Sequence, residues 1–118
     1  MDVCAALSGI RKDLSEKGFI DKDLLVWGWK KAPGIDPAER ELFFFGIKDK
    51  RFMILPFVTP ENILFDRVRY YAKGEIEIMM TKITIGLAIS FPNGGSAKYN
   101  LRGNGLRDME KILSIFDP

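Results

Sequence analysis

The sequence predicts a domain of the α+β class that is mostly β. In chain order, one helix comes before and one helix comes after a series of antiparallel strands. Apolar residues recur at helical spacing near both ends of the chain, whereas across its middle they alternate with polar residues, as in strands. Turn signals containing glycine, proline, asparagine or lysine separate the alternating stretches, which favours hairpins. No linker, internal repeat or low-complexity segment divides the chain. We therefore predict a single domain over residues 1–118.

The first element is predicted to be an amphipathic helix over about residues 3–17. Asp2 can cap its start, and Gly18 suits the position just after a helix, where a left-handed conformation ends it. The apolar residues of this segment fall on one helix face: Val3, Leu7, Ile10 and Leu14. The one cysteine, Cys4, has no neighbouring side chain that would activate its thiol, so we interpret it as a bystander.

The strands are predicted over about residues 24–102, where the spacing of apolar residues changes to two. Three apolar residues share one face of the first strand: Leu25, Trp27 and Trp29. A turn-rich loop follows over 30–40. The phenylalanine-rich run 42–47 favours a strand, and residues 51–55 return beside it after a short polar turn. These two stretches are therefore predicted to form a hairpin.

The segment after this hairpin is predicted to hold one helical turn and two further strands. Pro56 is expected to end the hairpin, and residues 59–62 read as a capped helix start with proline at the first helical position. Two strands then follow over 65–71 and 75–80, separated by a lysine-glycine turn.

The clearest alternation in the chain predicts the last strand pair. Large apolar residues occupy every second position over 83–91, with small or polar residues between them. A turn over 92–95 contains proline, asparagine and two glycines. Residues 97–101 then return beside the 83–91 strand, with their charged side chains outward. The pattern is typical of antiparallel strands that are buried on one face.

The last element is predicted to be a second amphipathic helix over about residues 105–116, capped by Asn104. Its apolar stripe consists of Leu106, Met109, Leu113 and Phe116. If the strands form a strongly bent sheet with one open corner, an apolar element must cover that corner, and this stripe can cover it. We therefore expect Leu113 and Phe116 to be buried.

This order of elements resembles the pleckstrin-homology-like (PH-like) fold, and in particular its small bacterial versions. The resemblance rests on the hairpin 43–55 with a basic pair after its turn, the linking segment 58–68, the strand pair 83–101 and the closing helix. It implies a strongly bent antiparallel sheet or barrel of about seven strands capped by the C-terminal helix, over about residues 24–116. The N-terminal helix is an addition to that pattern.

The resemblance also bears on ligand binding. In PH domains that bind phosphoinositides, the headgroup lies at the first strand loop, held by lysine and arginine side chains on the flanking strands. The matching segment here, residues 29–41, contains Lys30 and Lys31. Three acids dilute this positive charge: Asp36, Glu39 and Glu41. We therefore expect any anionic partner to bind elsewhere on the chain.

The composition argues against most enzyme chemistry. The chain has no histidine and one cysteine, which excludes Ser-His-Asp triads and zinc sites of the usual kind. Glu75 and Glu77 alternate along a predicted strand, but we interpret them as part of a solvated face. Residues 103–105 precede a helix as phosphate-binding turns do, yet they are better explained as a helix cap. We predict a non-catalytic protein with no cofactor and no metal site.

The charged residues are distributed unevenly although the net charge is only +2. Residues 67–107 carry an excess of five positive charges, and the rest of the chain has an excess of three negative charges. The candidate binding residues are basic side chains at predicted outward strand positions: Arg67, Arg69, Lys98 and Arg102. They favour a surface for phosphate-bearing or other anionic ligands. The structural alternative is that these charges keep strand edges from pairing.

The resulting prediction is a non-catalytic binding or adaptor module that recognises a protein segment or an anionic lipid or phosphate surface. One alternative is a nucleic-acid binder that combines the basic strands with exposed Tyr70, Tyr71 and Tyr99, against which the small net charge argues. Another is a small-ligand carrier with an internal cavity, or an enzyme that uses carboxylates.

Partners and location follow from weaker signals. A homo-oligomer is a further alternative to a protein or lipid partner. The N-terminal residues lack the basic region of a signal peptide, and the longest apolar stretches fall below the length that spans a bilayer. We therefore expect a cytoplasmic protein without a transmembrane segment.

Overall fold

The computed structural model describes residues 3–32, 34, 36–81, 86–102 and 105–118. Within these ranges the chain forms two α-helices, α1 (Val3–Glu16) and α2 (Gly105–Phe116). The strands are β1 (Leu25–Lys30), β2 (Leu42–Lys48), β3 (Arg51–Thr59), β4 (Asn62–Ile63), β5 (Arg69–Tyr71), β6 (Glu77–Thr81), β7 (Gly86–Ser90) and β8 (Ser96–Leu101). Short 3-10 helices lie at Pro37–Glu39 and Phe65–Arg67.

The eight described strands form one antiparallel sheet. Its order is β4-β3-β2-β1-β8-β7-β6, and β5 pairs with β3 outside this path. The first strand therefore lies in the middle of the sheet, between β2 and the last strand. Gly28 is needed where β1 meets β8, because a Cβ there would collide with the backbone carbonyl of Asn100. The α+β, mostly β class predicted from the sequence is confirmed.

Strands β1, β2 and β3 are buried on both faces. In β2, Phe45 belongs to an inner cluster that α2 covers, and Phe44 belongs to an outer cluster that α1 covers. Successive strand residues point to opposite faces, so a strand covered on both sides is apolar at every position. This explains the unbroken apolar run at 42–47. The outer cluster consists of Val3, Ile10, Leu14, Ile20, Leu25, Phe44, Met53, Leu55 and Phe57.

The inner cluster joins strands from separate parts of the sheet to α2. Val26 and Phe45 come from β1 and β2, whereas Leu87 and Tyr99 come from β7 and β8. All four pack in one core with residues of α2. Strands on both sides of β1 contribute to the same core, so the sheet bends around α2.

The N-terminal helix forms as predicted and has a clear structural role. Gly18 follows α1 with a φ of +81°, the left-handed conformation expected after a helix. Ile10 and Leu14 are buried against the sheet, while Leu7 is half-buried. Asp2, the predicted cap, lies outside the described residues. Helix α1 therefore covers the outer face of β1, β2 and β3, which a sheet with one apolar face would leave to solvent.

Helix α2 buries a stripe that differs at two positions from the predicted stripe, because Gly105 and Ile112 are buried in place of Leu106 and Leu113. Met109, Ile112 and Phe116 are buried, whereas Leu113 is half-buried. The prediction is confirmed for Phe116 and wrong for Leu113. The buried residues are spaced at i, i+3 and i+7, and Leu113 lies at the edge of that face. The predicted cap Asn104 is outside the part of the chain that the structure describes.

The region between the two strand pairs differs most from the prediction. Pro56 does not end the hairpin, because β3 continues to Thr59 and the Pro56 carbonyl accepts a hydrogen bond of 3.0 Å from the Leu64 N–H. The predicted helical turn at 59–62 is wrong, since Thr59 ends β3, residues 60–61 form a turn and Asn62 begins β4. The strand predicted at 65–71 is reduced to β5, because its first residues form a 3-10 helix. The register of the β3–β4 pair shifts between Phe57 and Thr59, just after the proline.

The last strand pair follows the predicted alternation. Leu87 and Ile89 are buried in β7, and Tyr99 and Leu101 are buried in β8. Leu87 lies directly opposite Tyr99 in the antiparallel register. Residues 82–85, which include the first part of the predicted strand, lie outside the described ranges.

Candidate functional site

A groove of about 780 Å³ lies across the outer side of β1, β2 and β3. Its walls include Trp27 and Trp29 from β1, Arg40 from the loop before β2, Arg67 from the 3-10 helix before β5, and Arg102 directly after β8. We call it the arginine–tryptophan groove and define it by these five residues. Its floor is apolar: Leu42, Phe43, Pro56, Phe57, Val58 and Leu64.

The strand period places both tryptophans in this groove. Trp27 and Trp29 are two residues apart in β1, so their side chains share one face of the strand, and their ring centroids are 6.2 Å apart. Trp27 also packs edge-on against Phe57, with 6.3 Å between the ring centroids. The chain contains no tryptophan besides these two. Indole fluorescence therefore reports on the groove alone.

Two of the three arginines stack on Trp29. The guanidinium carbons of Arg40 and Arg102 each lie 4.6 Å from the centroid of the Trp29 ring. Stacking of this kind is worth about 0.5–1 kcal/mol at an exposed site and holds a flexible guanidinium in one orientation. The N–H groups at the edges of a stacked guanidinium remain free to bind an anion in a bidentate manner. Each of these guanidinium groups is therefore held in place for contact with a carboxylate or phosphate.

Within the described residues, no carboxylate forms an ion pair with Arg40, Arg67 or Arg102. In the described residues, ion pairs join Arg11 to Asp108, Lys17 to Asp13, Lys48 to Asp21 and Lys73 to Asp117. None of these pairs involves Arg40, Arg67 or Arg102. One acid, Glu41, also lines the groove. The three guanidinium groups therefore outnumber the carboxylates there, and the groove has positive potential.

A second cavity of about 490 Å³ continues the groove along β1. It is lined by Lys30 and Lys31 and shares Trp29, Arg40 and Glu41 with the arginine–tryptophan groove. Glu39 lines it as well, so its positive charge is diluted as the sequence predicted. The two cavities therefore adjoin at Trp29, Arg40 and Glu41, and we call them together the trough.

The structure divides the predicted set of basic residues into two pairs. Arg67 and Arg102 line the groove, although about 35 residues separate them in the chain. Arg69 is exposed on β5 and donates a hydrogen bond of 3.2 Å to the carbonyl of Val68. Lys98 is exposed on β8, opposite Ala88, and does not line the groove. Arg67 does not occupy the predicted outward strand position, because it lies in a 3-10 helix, whereas Arg69 lies in β5.

Sequence reasoning missed Arg40, and it placed both tryptophans on one face of the first strand without assigning them to a binding site. A signal was present in the β1–β2 register, in which Trp29 lies opposite Leu42. A residue two positions before Leu42 is diagonal to Trp29 on the same face, and that residue is Arg40. Predicting the register of this pair would have identified the stacked arginine.

The other predicted sites do not form comparable surfaces. Glu75 lies in a turn rather than a strand, where its carboxylate accepts a hydrogen bond of 2.7 Å from the Ala72 N–H, so it does not share a strand face with Glu77. Tyr70 donates a hydrogen bond of 2.9 Å to the Phe19 carbonyl, and Tyr99 is buried. The predicted row of exposed tyrosines is therefore wrong.

The remaining polar chemistry is structural. Burial raises the pKa of Tyr99 to about 12, because the phenolate would lose its hydration in the inner core. The Asp49 backbone N–H donates to the Asp21 carboxylate at 2.8 Å and lowers its pKa, which holds the β2–β3 turn against the segment after α1. No group of three or more metal-ligating side chains occurs in the described residues, and residues 103–104 of the predicted phosphate turn lie outside them.

Comparisons with known protein families, curated proteins and solved structures found no match for this chain. Among the described helices, none is long and apolar enough to cross a membrane.

Proposed function

We propose that the chain is a non-catalytic binding module that holds an anionic ligand in the arginine–tryptophan groove. One observation supports this most directly: Arg40, Arg67 and Arg102 line a single open groove beside both tryptophans, and none of them forms an ion pair in the described part of the chain. A ligand that brings carboxylates or phosphates supplies the missing partners.

The physical argument rests on preorganisation. Arginine side chains lose about 2 kcal/mol of rotamer entropy when they are fixed, which usually weakens surface ion pairs. Stacking on Trp29 already limits the motion of Arg40 and Arg102 before a ligand arrives. A bidentate contact to these arginines is therefore stronger than an ordinary surface ion pair.

We propose further that the domain is PH-like. The bent antiparallel sheet, the pairing of β1 with β8 and the packing of α2 inside the bend support this assignment. Helix α1 extends the pattern by covering the outer face of β1, β2 and β3. The proposed ligand site lies on that outer side, next to the loop after β1 but with its arginines supplied by three separate segments.

Tryptophan fluorescence provides the test. Short poly-L-glutamate and inorganic tripolyphosphate, titrated at low salt, serve as carboxylate and phosphate probes. We expect at least one of them to change the emission saturably, with an effect that weakens as salt is added. The double variant Arg67→Gln/Arg102→Gln should bind that probe about tenfold more weakly. The double variant Arg69→Gln/Lys98→Gln removes the same charge outside the groove and should bind like the wild type.

Two results would overturn the proposal. If both double variants lost binding equally, the probes would be responding to net charge and not to the groove. If neither probe changed the emission saturably, the groove would not be an anion site.

A further inference from the structure

We infer that the ligand of the arginine–tryptophan groove is an extended acidic segment of a partner protein, with a large apolar side chain between its carboxylates. This inference rests on the proposed function and specifies the class of its ligand. It follows from the apolar floor, the position of Glu41 and the width of the groove.

The floor of the groove calls for an apolar contact as well as a charged one. Val58 is 52% exposed and is one of only two large hydrophobic residues with high exposure in the described chain. Beside it, Leu64 also lines the floor. A simple inorganic anion would leave this surface in water. A leucine- or phenylalanine-sized side chain would cover it and gain the free energy of apolar burial.

The carboxylate of Glu41 discriminates against densely charged ligands. Glu41 lines both the groove and the adjoining lysine-containing cavity, and Glu39 lines the latter. A nucleic-acid backbone or a polyphosphate that followed the trough would bring phosphates against these acids, and like charges at close range are unfavourable. A polypeptide can place carboxylates at the arginines and uncharged groups beside Glu41.

The width of the groove sets the spacing of the ligand's charges. The stacked Arg40 and Arg102 lie on the β1 side, whereas Arg67 lies beyond β3, next to the short strand β4. Strands are spaced by about 4.8 Å, so the two positions are about 10–14 Å apart. An extended chain advances about 3.3 Å per residue, which separates the two carboxylates by three or four residues. The apolar side chain lies between them, over Val58.

Matched peptides test the inference by isothermal titration calorimetry on the full chain. The probe is an acetylated and amidated heptapeptide, Gly-Glu-Gly-Leu-Gly-Glu-Gly, whose glutamates are four residues apart. One control replaces its leucine with serine, and a second replaces both glutamates with glutamine. We expect the serine peptide to bind about fivefold to tenfold more weakly and the glutamine peptide to show no measurable binding.

Protein variants assign this binding to the groove. The variant Val58→Ser should weaken the binding of the leucine peptide to the level of the serine peptide, and it should leave the binding of the serine peptide unchanged. The variant Arg67→Gln/Arg102→Gln should weaken the binding of the leucine peptide about tenfold. The charge-matched control Arg69→Gln/Lys98→Gln should bind it like the wild type.

The outcomes separate this inference from the proposed function. If the leucine and serine peptides bound equally, the apolar element of the inference would be refuted. If no peptide bound while tripolyphosphate or a vesicle containing phosphoinositide bound through Arg67 and Arg102, the ligand class would be wrong and the anion-binding function would stand. If no anionic probe bound, both would be refuted.

Discussion

The adjacent residues Ile112 and Leu113 of α2 should differ sharply when each is replaced by alanine. Ile112 is fully buried in the inner cluster, whereas Leu113 is only partly buried at its edge. Ile112→Ala removes about three buried carbons, worth about 2.4 kcal/mol in transfer free energy, and the cavity left behind raises the loss to about 3–4 kcal/mol. For Leu113→Ala, partial exposure and an open site reduce the loss to about 1 kcal/mol.

Thermal unfolding followed by far-ultraviolet circular dichroism measures this difference. At about 4 °C per kcal/mol for a domain of this size, the melting temperature should fall by about 12–16 °C for Ile112→Ala and by about 4 °C for Leu113→Ala. Urea unfolding gives the same comparison as a free energy. An equal loss, or a larger loss for Leu113→Ala, would show that the packing face of α2 is misassigned.

Two further predictions concern the centre of the sheet and the alkaline limit of stability. Gly28→Ala should destabilise the protein severely, because its Cβ would collide with the Asn100 backbone where β1 meets β8; a melting temperature within a few degrees of the wild type would refute this close approach. The raised pKa of Tyr99, about 12, means that the unfolded chain loses the phenolic proton first, at about pH 10. The contribution of Tyr99 to the free energy of unfolding is therefore complete below about pH 10, and it is lost as the pH rises towards 12. Urea unfolding at pH 9 to 11.5 should show a shallower decline for Tyr99→Phe than for the wild type.

Local periodicity was sufficient to predict the elements whose two faces differ. The alternation of Leu87 and Ile89 with small residues identified β7, and the residues of β8 that face them followed the same rule. Helix α1 was equally clear, because its stripe repeats at helical spacing and Gly18 ends it. These signals lie within a few residues of one another, and tertiary contacts reinforce them.

The remaining errors arose where non-local contacts decide the structure. Pro56 lies within β3, where it pairs with Phe43 of β2 and accepts a hydrogen bond from the Leu64 N–H, and no local rule reports these neighbours. Whether Ile112 or Leu113 is buried depends on how α2 is rotated about its axis against the sheet. The helical spacing of apolar residues fits two rotations that differ by one residue, so it does not decide between them.

The candidate site was half predicted for a similar reason. Charge counting found Arg67 and Arg102 but could not separate them from Arg69 and Lys98, because strand topology decides which basic residues meet. Arg40 was overlooked because acids surround it in the sequence, whereas in space it stacks on Trp29.

The indole N–H resonances of Trp27 and Trp29 provide the most direct test of the claim that this groove binds an anionic ligand. In a ¹H–¹⁵N spectrum of the uniformly labelled chain, both signals report on the groove, because these are the only tryptophans. On addition of the Gly-Glu-Gly-Leu-Gly-Glu-Gly peptide at low salt, we predict saturable shifts of both indole signals. Arg67→Gln/Arg102→Gln should need about tenfold more peptide to reach the same shifts, and Arg69→Gln/Lys98→Gln should titrate like the wild type. Unmoved indole signals, together with backbone shifts around Arg69 or Lys98, would contradict the account and place the anion site elsewhere.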